Sequence, residues 1–323
     1  MLAGWERYGL TANPYRRGPL DAAGGRDAEH SLCPVDGFRQ VARLDLQIAA
    51  AVADRRPCFF LVQGRSGSGR TSVANHLLAR YRWLRDLQPD RLAFIAEDRL
   101  DHHTVALLRK MVLDVYNAID DRRWSLDGPL EQRLLDWAQA TLDELVRPHF
   151  RILMRQVTRA LAVLEPAAGF GILIEDVPAF EVIDAVLEVF ADAETMVVFT
   201  VEDYSRAQVE VVRPYVDRER VGLQRARETV VELDSIYGSE VRDLVLHWWR
   251  MACRAAGHPF ADSAIEEALG ERPRTVGKVM SLMAAVLERR VLAIGAGPPW
   301  PDDRSLELTS RVLMQEIAQL GPD

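Results

Sequence analysis

The chain has 323 residues, 48% of them hydrophobic and 27% charged, with a formal net charge of −8. That is enough apolar material for one large or two smaller packed cores under a soluble surface. The negative balance argues against wholesale coating of nucleic acid, and no apolar run is long enough to span a bilayer.

Residues 1–36 are rich in Gly, Pro and Arg, have little periodicity and read as an extended arm. Their first part, Met1 to Arg17, lacks the basic-then-apolar order of a signal peptide. Three cysteines, Cys33, Cys58 and Cys253, show no pairing in their spacing, and Cys58 opens a buried strand. This usage suits a reducing compartment, and a cytoplasmic location is expected.

Helical spacing over Phe38 to Val52 precedes the most informative segment. Residues 58–71 read Cys-Phe-Phe-Leu-Val-Gln-Gly-Arg-Ser-Gly-Ser-Gly-Arg-Thr, a buried strand running into a glycine-rich loop. The phosphate-loop pattern G-x-x-x-x-G-K-S/T is met at Gly64, Gly69 and Thr71, with Arg70 in place of lysine. Gly64, Gly67 and Gly69 can take positive φ and carry no Cβ, so the amides around Ser66 and Ser68 can converge on an anion. Thr71, Ser72 and the residues to Tyr81 have helical spacing, and a helix start favours a phosphate. Thr71 is expected to offer its hydroxyl to a magnesium ion and position 70 to reach the β- and γ-phosphates.

Arginine at position 70 brings a longer, planar fork that binds phosphate but sits differently from lysine. Binding can survive this while alignment for phosphoryl transfer suffers. The alternative is compositional drift: Lys110 and Lys278 are the only lysines, so 38 of the 40 basic residues are arginine.

Arg91 to Glu97 is a second strand, followed by a helix over Val105 to Ile119. From Arg122 to Leu164 come long helical patterns, with Leu134, Trp137, Leu142, Leu145 and Val146 on one stripe and a break at Pro148. Gly171 to Val177 is a buried strand ending in Glu175 and Asp176. In nucleotide-hydrolysing folds one acid at such a strand end holds the magnesium shell and its neighbour orients water. Here Glu175 takes the metal position and Asp176 the water position. The alternative is a pair of acids that simply ends a strand.

A helix over Phe180 to Phe190 leads to a strand over Met196 to Val201, in which Thr200 either meets a phosphate or the attacking water, or is merely packed. Arg218 to Arg227 forms a local basic strip, and Arg218 and Arg220 are arginine-finger candidates. A short strand over Thr229 to Leu233 follows. Strands alternating with helices predict an α/β fold with a mainly parallel sheet covered on both faces. After Ser239 the pattern is wholly helical, over 240–256, 262–269, 274–293 and 305–319, and is taken as a small lid domain. Arg274, just before the third of these helices, would swing onto phosphates on closure, or else sits on a solvated helix start.

Asp101-His102-His103 has no matching ligand pair, so a metal site there is not expected. Trp248 and Trp249 cannot both face one core. The domain reading is an arm over 1–36, a nucleotide-binding α/β domain over 37–236 containing the helical segment 122–164, and a helical lid over 237–323.

In order along the chain, GRSGSGRT (64–71), ILIED (172–176), VVFT (197–200) and GERPRTVGKVM (270–280) resemble the Walker A, Walker B, sensor 1 and sensor 2 motifs of an AAA+ P-loop ATPase. The opening YGLTANPY (8–15) resembles the branch that contains origin-recognition initiators, secretion-type ATPases and transposition helpers. The resemblance implies ATP and Mg2+ bound between sheet and lid. It gives Arg70 the lysine's place, Thr71 and Glu175 the metal, Asp176 the remaining Walker B position, Thr200 sensor 1 and Arg274 sensor 2. It also implies a homo-oligomer with a protein partner, and ATP rather than GTP. The lid leaves no room for the winged-helix DNA domain of initiators, so any nucleic-acid contact is expected to be non-specific.

Arg70 in place of lysine, and Glu175-Asp176 where the usual order is Asp then Glu, depart from the family pattern and favour a slow or inactive ATPase acting as an assembly switch. The other readings are an active motor or DNA-associated helper, and a scaffold that kept the fold and lost the nucleotide.

Overall fold

The computed structural model describes residues 3–16, 32–33, 35, 41–85, 92–97, 104–140, 147–166, 168–177, 180–191, 193–202, 230–253, 257–294 and 297–320. Among the described residues five strands run over β1 (Cys58–Gly64), β2 (Leu92–Glu97), β3 (Gly169–Ile174), β4 (Thr195–Glu202) and β5 (Val230–Leu233). All neighbouring pairs are parallel, in the order β2-β3-β4-β1-β5. This is the α/β sheet that the alternation of strand and helix patterns predicts.

Among the described residues there are ten α-helices: α1 (Ala3–Arg7), α2 (Val41–Ala53), α3 (Arg70–Leu84), α4 (Thr104–Asp121), α5 (Gly128–Gln139), α6 (Arg147–Leu164), α7 (Phe180–Phe190), α8 (Ser239–Ala252), α9 (Val276–Ala293) and α10 (Ser310–Ala318). Segment 122–164 resolves into α5 and α6, and Pro148 is the second residue of α6, where its missing N–H costs no helical bond. Leu142, Leu145 and Val146 lie outside the described residues.

The two-residue period of the strands sorts their side chains into two cores. Cys58, Phe60 and Val62 of β1 and Met196 and Val198 of β4 face α2 and α3. Phe59, Leu61, Val197, Phe199 and Val201 face the layer of α4 to α7. Both faces are covered, which is why these strands read as continuous apolar runs. Trp137 sits edge-on to Phe150 with ring centroids 5.2 Å apart, tying α5 to α6.

The first core continues into the lid. Trp249 is fully buried there, and its neighbour Trp248 is half-buried against the same cluster. A π-helical turn over Glu266–Gly270 ends the second lid helix pattern. Reciprocal backbone bonds of 2.8 and 3.0 Å between Ile236 and Arg274 join the linker after β5 to the start of α9.

The opening residues depart from the expected arm. Residues 3–7 are helical, and Tyr8, Leu10 and Tyr15 are buried in the lid core. The Tyr15 hydroxyl donates to Val245 O at 3.1 Å, and Asn13 Nδ2 donates to Ala284 O at 2.9 Å. Single large side chains anchor this segment, so it has no periodic face for a sequence pattern to reveal. No described helix is long and apolar enough to cross a membrane.

Candidate functional site

The carboxyl ends of β1, β3 and β4 meet at one edge of the sheet, where open α/β folds place their ligands. The loop after β1 is built by local sterics. A Cβ on Gly64 would lie 2.5 Å from Ser68 Oγ and 2.9 Å from Leu233 O, so only glycine fits. Gly67 and Gly69 have φ of 77° and 98°, the left-handed region that L side chains avoid. Gly69 is the N-cap of α3 and makes no side-chain cap bond, so the helix start is formed by backbone alone. Ser66 is exposed and Ser68 is buried beneath the loop. Ser72 lies in the first turn of α3.

The acids after β3 come to the same place. Thr71 Oγ1 donates to Glu175 Oε1 at 2.6 Å. Arg70 Nη1 forms an ion pair with Asp176 Oδ1 at 2.8 Å; the arginine side chain is 11% exposed and the aspartate 65%. Asp176 has φ 48°, a left-handed conformation that aspartate tolerates better than most residues. Thr200, 1% exposed, holds that turn: its Oγ1 accepts from Asp176 N–H at 3.0 Å, and its carbonyl accepts from Val177 N–H at 3.0 Å. The loop, the acid pair and Thr200 thus lie together at this edge of the sheet.

Arg274 Nη1 donates to Leu269 O at 2.6 Å, turning it toward the π-turn of the lid. The lid meets the loop through its neighbours. Gly277 N–H donates to Gly67 O at 2.7 Å, and a Cβ on Gly67 would lie 3.1 Å from Thr275 Oγ1. Thr275 also caps α9, accepting from Lys278 N–H at 3.3 Å.

Two further site residues escape the sequence reading. Gly277 is one. Glu202 is the other: its Oε1 accepts from Ser66 N–H at 3.2 Å. The signal for Glu202 lies in register, since it pairs with Gly64 across β1 and β4. Arg218, Arg220 and Asp101-His102-His103 lie outside the described residues.

Three carboxylates thus contact the loop or the start of α3: Glu175 through Thr71, Asp176 through Arg70 and Glu202 through Ser66. Among the described residues no group of three or more His, Cys, Asp or Glu side chains forms a metal site of its own. The Thr71 hydroxyl beside the Glu175 carboxylate is a small set of hard oxygens. Such a set fits a magnesium ion that takes its other ligands from phosphates and water.

No protein-family model and no curated protein sequence matches the chain. Among solved structures it is similar to Drosophila ORC bound to DNA, with a TM-score of 0.53 at 11% identity, over 95% of this chain and 69% of that one. A second similarity, to C. elegans PCH-2, has a TM-score of 0.36 at 12% identity, over 86% of this chain and 69% of that one, and is too loose to carry an argument. The likeness is one of fold, the P-loop NTPase arrangement of a parallel sheet flanked by helices and followed by a small helical lid.

Proposed function

We propose that the protein is an AAA+-type nucleotide-binding protein whose ATP- and magnesium-dependent assembly regulates a partner protein, with hydrolysis weak or absent. The observation that carries this reading is the ion pair of Arg70 with Asp176. The cation that would meet the β- and γ-phosphates and the acid that would orient water are engaged with each other. Binding a triphosphate draws Arg70 toward phosphate and leaves Asp176 as a short acid, poorly suited to reach an attacking water.

In this reading the amides from Gly64 to Thr71, with Ser66, Ser68 and Ser72, cradle the phosphates, helped by the dipole of α3. Thr71 and Glu175 would hold a magnesium ion, which would neutralise negative charge on the phosphates. Thr200 keeps the acid-bearing turn in place. Arg274 would act as sensor 2 only after leaving Leu269 O, so its engagement marks lid rearrangement. The domain division is then 1–36, 37–236 and 237–323, with residues 3–15 packing with the lid.

Mass measurement with and without ATP and Mg2+ tests the assembly switch. A larger species appearing only with both is expected, and an unchanged mass under saturating MgATP would refute it.

An active ATPase motor is the second reading, favoured by the 2.6 Å contact of Thr71 with Glu175, which keeps the metal side of the site intact. Phosphate release by the wild type and by Asp176→Asn separates the two: equal background release from both excludes the motor. A DNA-associated role draws support from the likeness to ORC, which is bound to DNA in its solved structure. Filter binding across a salt series checks it, because phosphate contacts weaken steeply with salt.

A further inference from the structure

Glu202 ends β4 beside the phosphate loop, and its carboxylate accepts from the Ser66 amide at 3.2 Å. A carboxylate shares with a phosphate oxygen the features that a loop amide selects, a negative charge and acceptor lone pairs. The register that pairs Glu202 with Gly64 brings it to the loop from the strand itself, so its backbone anchor is fixed while its exposed side chain can leave.

We propose that Glu202 is an intramolecular stand-in for phosphate, competing with the nucleotide for Ser66 N–H and setting affinity for the triphosphate tail. The inference rests on the nucleotide-binding reading and adds a residue to it. Two physical effects act in the same direction. The Ser66 amide cannot give its one hydrogen to Glu202 and to a phosphate at full strength. A carboxylate left at the loop also repels the incoming charge, in company with Glu175 and Asp176. The side chain is exposed, so displacing it costs little beyond that bond and the remaining repulsion. A purely structural role predicts the opposite sign: removing a carboxylate that braces the loop would loosen it and weaken binding.

The test compares wild type, Glu202→Gln and Glu202→Ala in equilibrium titrations with MgATP, magnesium tripolyphosphate and adenosine. Glutamine keeps the shape and the acceptor but loses the charge; alanine removes both. Both variants are expected to bind MgATP and magnesium tripolyphosphate about fivefold more tightly than wild type at low salt, the scale of one partly screened charge a few ångströms away. The gain should shrink as salt rises, with adenosine affinity unchanged. Affinities equal to wild type, or weaker, in both variants overturn the role of Glu202 while leaving the nucleotide reading intact. No saturable binding by any of the three proteins removes both, and the wild-type titration tells that failure from the first.

Discussion

The amide of Gly277 donates to the carbonyl of Gly67 at 2.7 Å, so the lid helix α9 rests its first turn directly on the phosphate loop. A Cβ on Gly277 would lie 3.0 Å from Gly67 O and 3.2 Å from Gly67 Cα. Two backbones that approach this closely leave no room for a side chain between them. The loop and the lid are therefore coupled through a contact that any change in loop conformation must disturb.

Gly277→Ala measures that coupling. Alanine in a helix gains about 1 kcal/mol over glycine, so a clash-free position would become more stable. Overpacking against backbone costs about 1–3 kcal/mol. A net loss of stability in denaturant unfolding, together with weaker MgATP binding, is the expected result. A variant more stable than wild type with unchanged nucleotide affinity would mean that the lid does not bear on the loop.

Thr200 supports the acid-bearing turn through its hydroxyl, which accepts from Asp176 N–H. Thr200→Val keeps the volume but removes that acceptor from a buried position, at a cost of about 1–3 kcal/mol. Thr200→Ser keeps the hydroxyl and should retain most of the stability. Equal unfolding free energies for the valine and serine variants would show that the bond does not hold the turn.

Asp303 joins the opening helix to the far end of the lid through Arg7. Hydrogen bonds from Ser305 first, and then the Arg7 guanidinium, hold its carboxyl below the ordinary aspartate value. A depressed folded-state pKa stabilises the fold above the unfolded value of about 4, and the contribution fades as pH falls through the lowered folded value. The melting-temperature difference between wild type and Asp303→Asn should be largest above about pH 5 and shrink as the solution is acidified below about pH 4. A difference that stays constant across this range would remove Asp303 as its source.

Strands β1, β3 and β4 are legible because they are covered on both faces and so read as apolar runs. The pattern gives α7 to both of its ends, Phe180 and Phe190, and α9 to its end at Ala293, with the start placed at Arg274 rather than Val276. The loop and the acids follow the ends of their strands and Thr200 lies near the end of its own, and parallel strands deliver their carboxyl ends to one edge. What escaped depends on contacts between residues far apart in sequence. Gly277 matters only because Gly67 lies against it, and Glu202 only because register sets it beside the loop. Arg274 reads as a cation that swings onto phosphates on lid closure; its bond to Leu269 O depends on a π-turn that no periodicity announces.

The claim on which the account turns is that the loop from Gly64 to Thr71 holds a triphosphate with Arg70 as its cation. Equilibrium titration of the wild type and Arg70→Ala with ATP in the presence of Mg2+ tests it most directly. The account predicts saturable binding by the wild type, at least about tenfold weaker in Arg70→Ala, as expected for losing a charge-assisted contact of about 1.5–3 kcal/mol. A wild type that shows no saturable binding, or an alanine variant that binds as well, would contradict it.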